Sequence, residues 1–417
     1  MGAAPFPAAA IVPAIALAAL AVAAGSARAA DVSGSLTLAP MSVSDNPGSP
    51  YFVGPPLVQT AHRSLRQDLG LRLQEGGFNA QAIVRVLAAE GRTPEQHGIL
   101  NQMYYDGEAG PGAGWTIGKK VVTWGVGFGF RPLDVVQRED RRSVNPPPLV
   151  GIPLLAWEKF SADEALTLLW QRPGSGRGNT ASEDPALAAH WYRLADGTDL
   201  HAVGRLSSRN GLELGAGFSR AVGDEWSFYA AALNQRRYEH RTNALTETGG
   251  VLATTDPVRT DVLRNAGKAV AGAQWTGTSG LGLLFEAWYD GEAYSRAEWQ
   301  RLNALTARQR ALTGLAPQAA IDGNVAWSLA AFNKANLMRE NAMLRLSYDV
   351  DQRWKSALEW LATPRDGGRA VTASIAYEGD RQRIAFGIRS LGGPADSALA
   401  QAPQKRSAWL EWRLVLP

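Results

Sequence analysis

The sequence predicts an all-β protein, a transmembrane antiparallel up-and-down β-barrel of about eighteen strands (sixteen also possible) with a short helical extracellular loop. Three observations predict it. An apolar leader opens the chain, strand-sized pieces alternate oily and polar residues along its length, and short connections alternate with long ones.

The leader runs from Ala8 to Ala24 and is followed by Gly25, Ser26 and the small-residue pattern Ala27-Arg28-Ala29. Residues 1–29 therefore read as a signal peptide, with a single barrel domain over 30–417. No Lys or Arg precedes the apolar core, so an uncleaved anchor is the alternative. Beyond Ala30 no apolar run is long enough for a membrane-spanning helix. The chain has no Cys, which excludes a disulfide framework and Cys-based zinc, iron–sulfur or covalent haem sites. No cofactor or metal is expected. The net charge of +3 is mild and its basic residues are interleaved with acidic ones, so no nucleic-acid partner is expected.

In order, the predicted strands cover 33–39, 64–74, 79–89, 99–106, 115–126, 149–159, 164–172, 186–195 and 199–207. They continue over 212–221, 226–238, 265–276, 281–289, 337–349, 354–362, 370–378, 381–390 and 407–416. Each reads at period two. In the second, Leu65, Leu69, Leu71 and Leu73 share one face while Arg66, Asp68, Gly70 and Arg72 share the other. In the tenth, Leu212, Leu214, Ala216 and Phe218 alternate with Glu213, Gly215, Gly217 and Ser219.

Every second connection is turn-like, as at 75–77, 196–198, 222–225, 277–280 and 379–380, and the intervening ones are mostly long and polar, as at 40–63, 127–148, 239–264 and 291–336. A soluble sandwich has no reason to sort its loops this way, whereas an outer-membrane barrel has short periplasmic turns and long outer loops. Phe78, Phe160, Trp226, Trp275, Tyr348, Trp354 and Tyr377 all fall beside short turns, where a barrel carries its interfacial girdle.

If the oily faces meet lipid, the opposite faces line the bore. They carry Arg66, Arg72, Arg85, Arg205, Arg345, Lys355, Arg381, Arg383, Arg389 and Arg413, interspersed with Asp68, Glu213, Asp349, Glu359 and Glu411. Basic residues predominate, and a basic bore favours anionic solutes. Arg381, Arg383 and Arg389 stand out as an unpaired row, because the neighbouring inward face offers Thr372, Ser374 and Ala376. Pairing is as expected as not for Lys355 and Glu359 against Arg345 and Asp349. As a lumen residue, Glu213 should tolerate replacement by Arg, whereas Leu214 should not.

Two outer segments are candidates to narrow the channel. Residues 131–148 combine Arg131, Asp134, Arg138, Arg141 and Arg142 with three consecutive prolines, which suits a charged constriction loop with a stiff return. Ser295-Arg296-Ala297-Glu298 reads as a capping box opening a helix to about Leu312.

The stretch Gly118-Lys119-Lys120-Val121-Val122-Thr123-Trp124-Gly125, with Arg131-Pro132-Leu133-Asp134 and the return into Val150-Gly151-Ile152-Pro153, resembles porin-like and alginate-export-like outer-membrane barrels of Gram-negative bacteria. The resemblance implies an eighteen-stranded channel with inward-folded loops and an arginine-bearing lumen. Barrels of this kind commonly end in an aromatic residue read by the barrel-assembly machinery, and this chain ends Leu416-Pro417.

The expected function is an outer-membrane channel for diffusion or export of small or polymeric anionic solutes, not an enzyme. Its partners would be outer-membrane lipid, lipopolysaccharide, the assembly machinery and the solute. A structural sheath for a periplasmic or electron-carrying protein is the first alternative, and a barrel hydrolase the second. The five histidines, His62, His97, His190, His201 and His240, are scattered with no nucleophile motif beside them, which weighs against hydrolysis.

Overall fold

Alternating residues give each strand one apolar and one polar face, and a sheet with one oily side exposes unpaired edges unless it closes on itself. In the computed structural model, which describes residues 31–138, 144, 146–172 and 184–416, the chain does close. The expected signal peptide lies outside the described residues.

Eighteen antiparallel strands form one sheet. In order they are β1 (Asp31–Asp45), β2 (Arg63–Glu75), β3 (Phe78–Ala89), β4 (Glu95–Glu108), β5 (Ala113–Lys120), β6 (Ile152–Phe160), β7 (Glu164–Gln171), β8 (Ala186–Ala195) and β9 (Thr198–Ser207). Then follow β10 (Gly211–Val222), β11 (Trp226–Asn243), β12 (Val258–Thr276), β13 (Leu281–Asp290), β14 (Glu340–Asp349), β15 (Trp354–Thr363), β16 (Gly368–Glu378), β17 (Gln382–Gly392) and β18 (Gln404–Leu416). Each strand pairs with its neighbours in sequence, and β18 pairs back onto β1, with Gly34 opposite Leu416. The even connections are all short, for example 76–77, 196–197 and 277–280, while 46–62, 121–151, 244–257 and 291–339 are long. Asp196 and Gly197 both take positive φ, 49° and 71°, the geometry of a two-residue hairpin whose twist matches its strands.

Directly opposed residues share a face, so register tells outside from inside. One cross-strand series runs Glu75, Phe78, Tyr105, Ile117, Leu155, Trp170, Leu187, Leu206 and Leu212. The large apolar members are exposed on the outer wall: Ile117, Leu155, Trp170, Leu187, Leu206 and Leu212 all qualify. So much contiguous apolar surface is a surface for hydrocarbon, not water. Near the short-turn rim Trp226 stands opposite Trp275, and Trp354 opposite Tyr377.

Several predicted boundaries shift: β1 runs to Asp45 instead of 39, β4 starts at Glu95 instead of 99, and β14 starts at Glu340 instead of 337. The hairpin β11–β12 runs several residues past the expected 238 and 265, because the ladder continues from Arg237–Arg264 out to Asn243–Val258. β5 stops at Lys120 instead of 126, for reasons that belong to the lumen. Between β13 and β14 the capping box forms as read: the Ser295 hydroxyl accepts from the Glu298 N–H and Glu298 reaches back to the Ser295 N–H. That helix, Arg296–Arg310, packs Trp299, Leu302 and Leu305 into an outer apolar cluster with Tyr51, Met338 and Leu399. We call it α2, the four-residue Leu245–Thr248 turn being α1 and the unpredicted Gln318–Ser328 being α3.

Candidate functional site

The lumen has two unlike halves. Over β6 to β14 the inward residues include Ile152, Leu154, Ala156, Leu169, Val203, Leu233, Val270, Leu284 and Met343, all buried. Buried apolar groups inside a polar bore need a cover, and the β5–β6 connection supplies it. Past Lys120 the chain leaves the wall and folds inward, and Leu133, Val135 and Val136 become fully buried against this patch. Each such side chain contributes about 1.5–3 kcal/mol. The seat is shaped by glycine: a Cβ at Gly215 or Gly217 would meet the Leu133 side chain at 2.7 or 3.1 Å.

Side chains also take the backbone donors that longer β4–β5 and β5–β6 ladders would have used, which is why β5 ends early. Gln102 Oε1 accepts the Val121 N–H at 3.0 Å, Gln137 Oε1 accepts that of Val122 at 2.8 Å, and Asp134 Oδ1 accepts those of Trp124 and Gly125 at 2.7 and 2.6 Å. Trp124 stacks on His190 with centroids 5.1 Å apart, and Phe130 on Trp288 at 6.2 Å. Of the predicted constriction residues, Arg131, Asp134 and Arg138 lie on this loop inside the barrel; Arg141 and Arg142 fall outside the described residues.

The other half, β14 through β18 and on to β3, is charged. One cross-strand row reads Glu378, Arg383, Arg413, Thr37, Asp68, Arg85; another reads Arg345, Glu359, Thr372, Arg389, Ser407. Arg85 grips Asp68 through two bonds of 2.7 and 2.9 Å, and Arg66 reaches Asp68 and Glu411 at 3.4 and 3.8 Å. Arg345 lies 3.6 Å from Glu359 and over the Phe128 ring of the loop, while Lys355 pairs with Glu378 at 2.7 Å. Arg72 and Arg413 are exposed, and neither has a carboxylate partner among the described residues.

Three expectations are corrected here. The supposed unpaired row is paired: Arg383 meets Glu411 at 2.8 Å, and Arg389 bonds Thr372 at 2.7 Å with Glu359 at 3.5 Å. These carboxylates come from β18 and from β15, two strands away, rather than from the Thr372, Ser374 and Ala376 positions of β16. Arg381 lies in the 379–381 turn, ahead of β17, so it is not on the wall. Arg205 points inward but has no exposure; it is held by Glu213 at 2.5 Å within the loop-covered half and does not line open lumen.

Between the loop and the outer segment 330–337 lies a cavity of about 460 Å³. Arg131, Arg241, Lys334 and Arg389 line it together with Glu239, Asp290, Glu292 and Glu359. Burial alone would push the Glu292 carboxyl up, yet Lys268 at 2.8 Å and Arg138 at 3.0 Å hold it well below the usual carboxylate range. Burial lowers the Lys334 ammonium. The cavity is thus bordered by both signs, with its carboxylates engaged: Glu239 by Arg209, Asp290 by Asn336, and Glu292 and Glu359 as above. Of the histidines, His190 bonds His201 at 3.1 Å, His62 bonds Asp45, and His240 bonds Glu298 and Lys334; none of these partners is a serine.

Sequence reasoning found the charged arc but missed the apolar half and Glu286, described below. The signal for the former was present in Gly215, Gly217, Ala231 and Leu233, small and apolar residues at positions whose parity is inward.

No family model matches the chain, and no curated protein does. Solved structures do match in fold. Pseudomonas aeruginosa OccK5 (OpdH) superposes with a TM-score of 0.57 at 9% identity, covering 93% of this chain and 98% of its own. Acinetobacter baumannii OccAB2 gives 0.53 at 10%, covering 92% and 98%. Pseudomonas aeruginosa OpdK, solved with vanillate, gives 0.52 at 11%, covering 93% and 98%. The chain therefore has the closed eighteen-stranded barrel fold that these proteins share.

Proposed function

We propose that this barrel sits in an outer membrane and acts as a porin-like channel for small anionic solutes. The observation that carries the reading is the charged arc from β14 to β3. Arg66, Arg72, Arg85, Arg345, Lys355, Arg383, Arg389 and Arg413 outnumber Asp31, Asp68, Asp349, Glu359, Glu378 and Glu411 there, and among the described residues no carboxylate pairs with Arg72 or Arg413. Fixed positive charge along a water path walled by low dielectric concentrates anions. The apolar exterior supports the membrane setting, and the carboxylate-bearing ligand of OpdK supports the solute class by analogy of fold. A sheath for a partner protein is less favoured, because the inward loop occupies bore that the partner would need. A polymeric anion is less favoured for the same reason. No hydrolytic role is assigned.

Planar-bilayer recording under a salt gradient tests the reading. The wild type is expected to reverse on the anion-selective side, and the double replacement Arg72→Gln, Arg413→Gln should move reversal toward the cation side. At about 1 M salt the difference should shrink, since the screening length falls to roughly 3 Å. A cation preference indifferent to the double change would sink the anion assignment. Absence of any conductance would sink the channel itself and bring the sheath forward.

A further inference from the structure

Glu286 lies on β13, faces inward and has no exposure. Its Oε2 accepts the Phe128 N–H at 2.6 Å and the Tyr229 hydroxyl at 2.5 Å; its Oε1 accepts the N–H groups of Gly129 and Phe130, each at 2.9 Å. Three successive backbone donors thus converge on one carboxylate, the concave arrangement that binds anions elsewhere. The local bend depends on Gly127, whose φ is +114° and whose Cβ, if present, would sit 2.2 Å from the Phe130 carbonyl oxygen. Asp134 and Gln137 accept the N–H groups of Val122, Trp124 and Gly125 within the loop, and Gln137 donates to the Val150 carbonyl. Glu286 instead ties the loop tip to the wall, while Gln102 of β4 holds the start of the loop and Glu292, just past β13, holds Arg138. Apolar packing is non-directional and would let the tip slide along its seat, whereas charge-assisted bonds fix its position.

We infer that Glu286 is the positioning residue that sets the width of the channel: it holds the loop tip against β13, so the passage between tip and charged arc has one aperture. The inference rests on the channel reading for its consequence but not for its geometry, and its test separates the two. In this cysteine-free chain, Val126→Cys places a thiol on the half-buried loop. In the folded barrel, adding Glu286→Gln should raise the rate of thiol labelling about tenfold or more, as expected when bonds to a charged group are lost. Single-channel current that dwells at one level in the parent should break into sub-levels, a signature that a merely stabilising role would not produce. Tyr229→Phe, which removes one of the four bonds, should move both readouts less.

Gly127→Ala acts from the loop side and leaves the wall intact, so it serves if Glu286→Gln assembles poorly. It should reproduce the faster labelling and the sub-levels. Wild-type labelling and a single current level in either variant would overturn the inference. A parent that labels slowly but passes no current would overturn the channel reading alone, because the labelling comparison would still report on the anchor.

Discussion

Glu213 and Leu214 are adjacent on β10 yet face opposite surroundings. Leu214 stands 54% exposed on the outer wall, while Glu213 has no exposure and lies 2.5 Å from the equally buried Arg205. Period two assigned both faces correctly, but facing inward is not the same as facing water. Leu214→Arg is expected to cost roughly 2–4 kcal/mol if its position lies near the membrane midplane. Glu213→Arg, which alternation alone marks as tolerated, should also impair assembly, because it sets a second buried guanidinium against Arg205 and leaves the two only the Asp184 carboxylate, 3.6 Å from Arg205; breaking a buried pair costs about 3–5 kcal/mol. Arg383→Gln, on the open arc, should leave assembly unchanged. Heat-modifiable gel mobility and urea unfolding of the three variants check the ranking. If Glu213→Arg assembles like Arg383→Gln, the Arg205 pocket is wetter than its burial implies. What the sequence lacks at this scale is the loop overhead: nothing in Leu212 to Ser219 tells that one part of the inner face is covered and another open.

Elements were legible to the degree that their own residues determine them. The α2 start was legible because a capping box is local: Ser295 and Glu298 satisfy each other's backbone within one turn. The end of β5 was not, since the donors of Val121, Val122, Trp124 and Gly125 are met by Gln102, Gln137 and Asp134, 9 to 19 positions away, and the Phe128 donor further along by Glu286, 158 positions away. Glu298 also joins α2 to the barrel extension, accepting from His240 at 2.6 Å. Burial opposes its charged form, but the bonds from His240 and Ser295 outweigh that and lower its pKa from 4.5 to about 2. A folded-state pKa below the unfolded one contributes stability that is present above pH 4.5 and lost as pH falls toward 2. Docking of α2 is therefore expected to persist at pH 6 and weaken between about 4.5 and 2, with faster hydrogen exchange over 296–310. Glu298→Ala should show that faster exchange already at neutral pH. Unchanged exchange in the variant would assign the docking to Trp299, Leu302 and Leu305 alone.

Over the whole molecule, closure and sidedness follow from two alternations superposed, residue by residue within strands and connection by connection between them. Closure follows because a sheet this large with one oily face leaves no edge only when its last strand meets its first, as β18 meets β1. Sidedness follows because turns of two to four residues recur at one rim, while the long connections, with their helices, gather at the other. A barrel threaded into an outer membrane from the periplasm carries its long segments outward, so the short-turn rim should face the periplasm. Single cysteines in this cysteine-free chain can test this if they sit at exposed positions free of backbone strain, which rules out Gly76 with its φ of +55°. Asp224, in the 223–225 turn, and Thr248, on α1 between β11 and β12, are both exposed. On intact cells an impermeant thiol reagent is expected to modify Thr248→Cys and to reach Asp224→Cys only after the envelope is opened. The reverse pattern would turn the barrel over. It would then put the cavity beside the β5–β6 loop at the periplasmic end of the path, and the Arg72 and Arg413 pair, near the short-turn rim, at the outer mouth where solute enters.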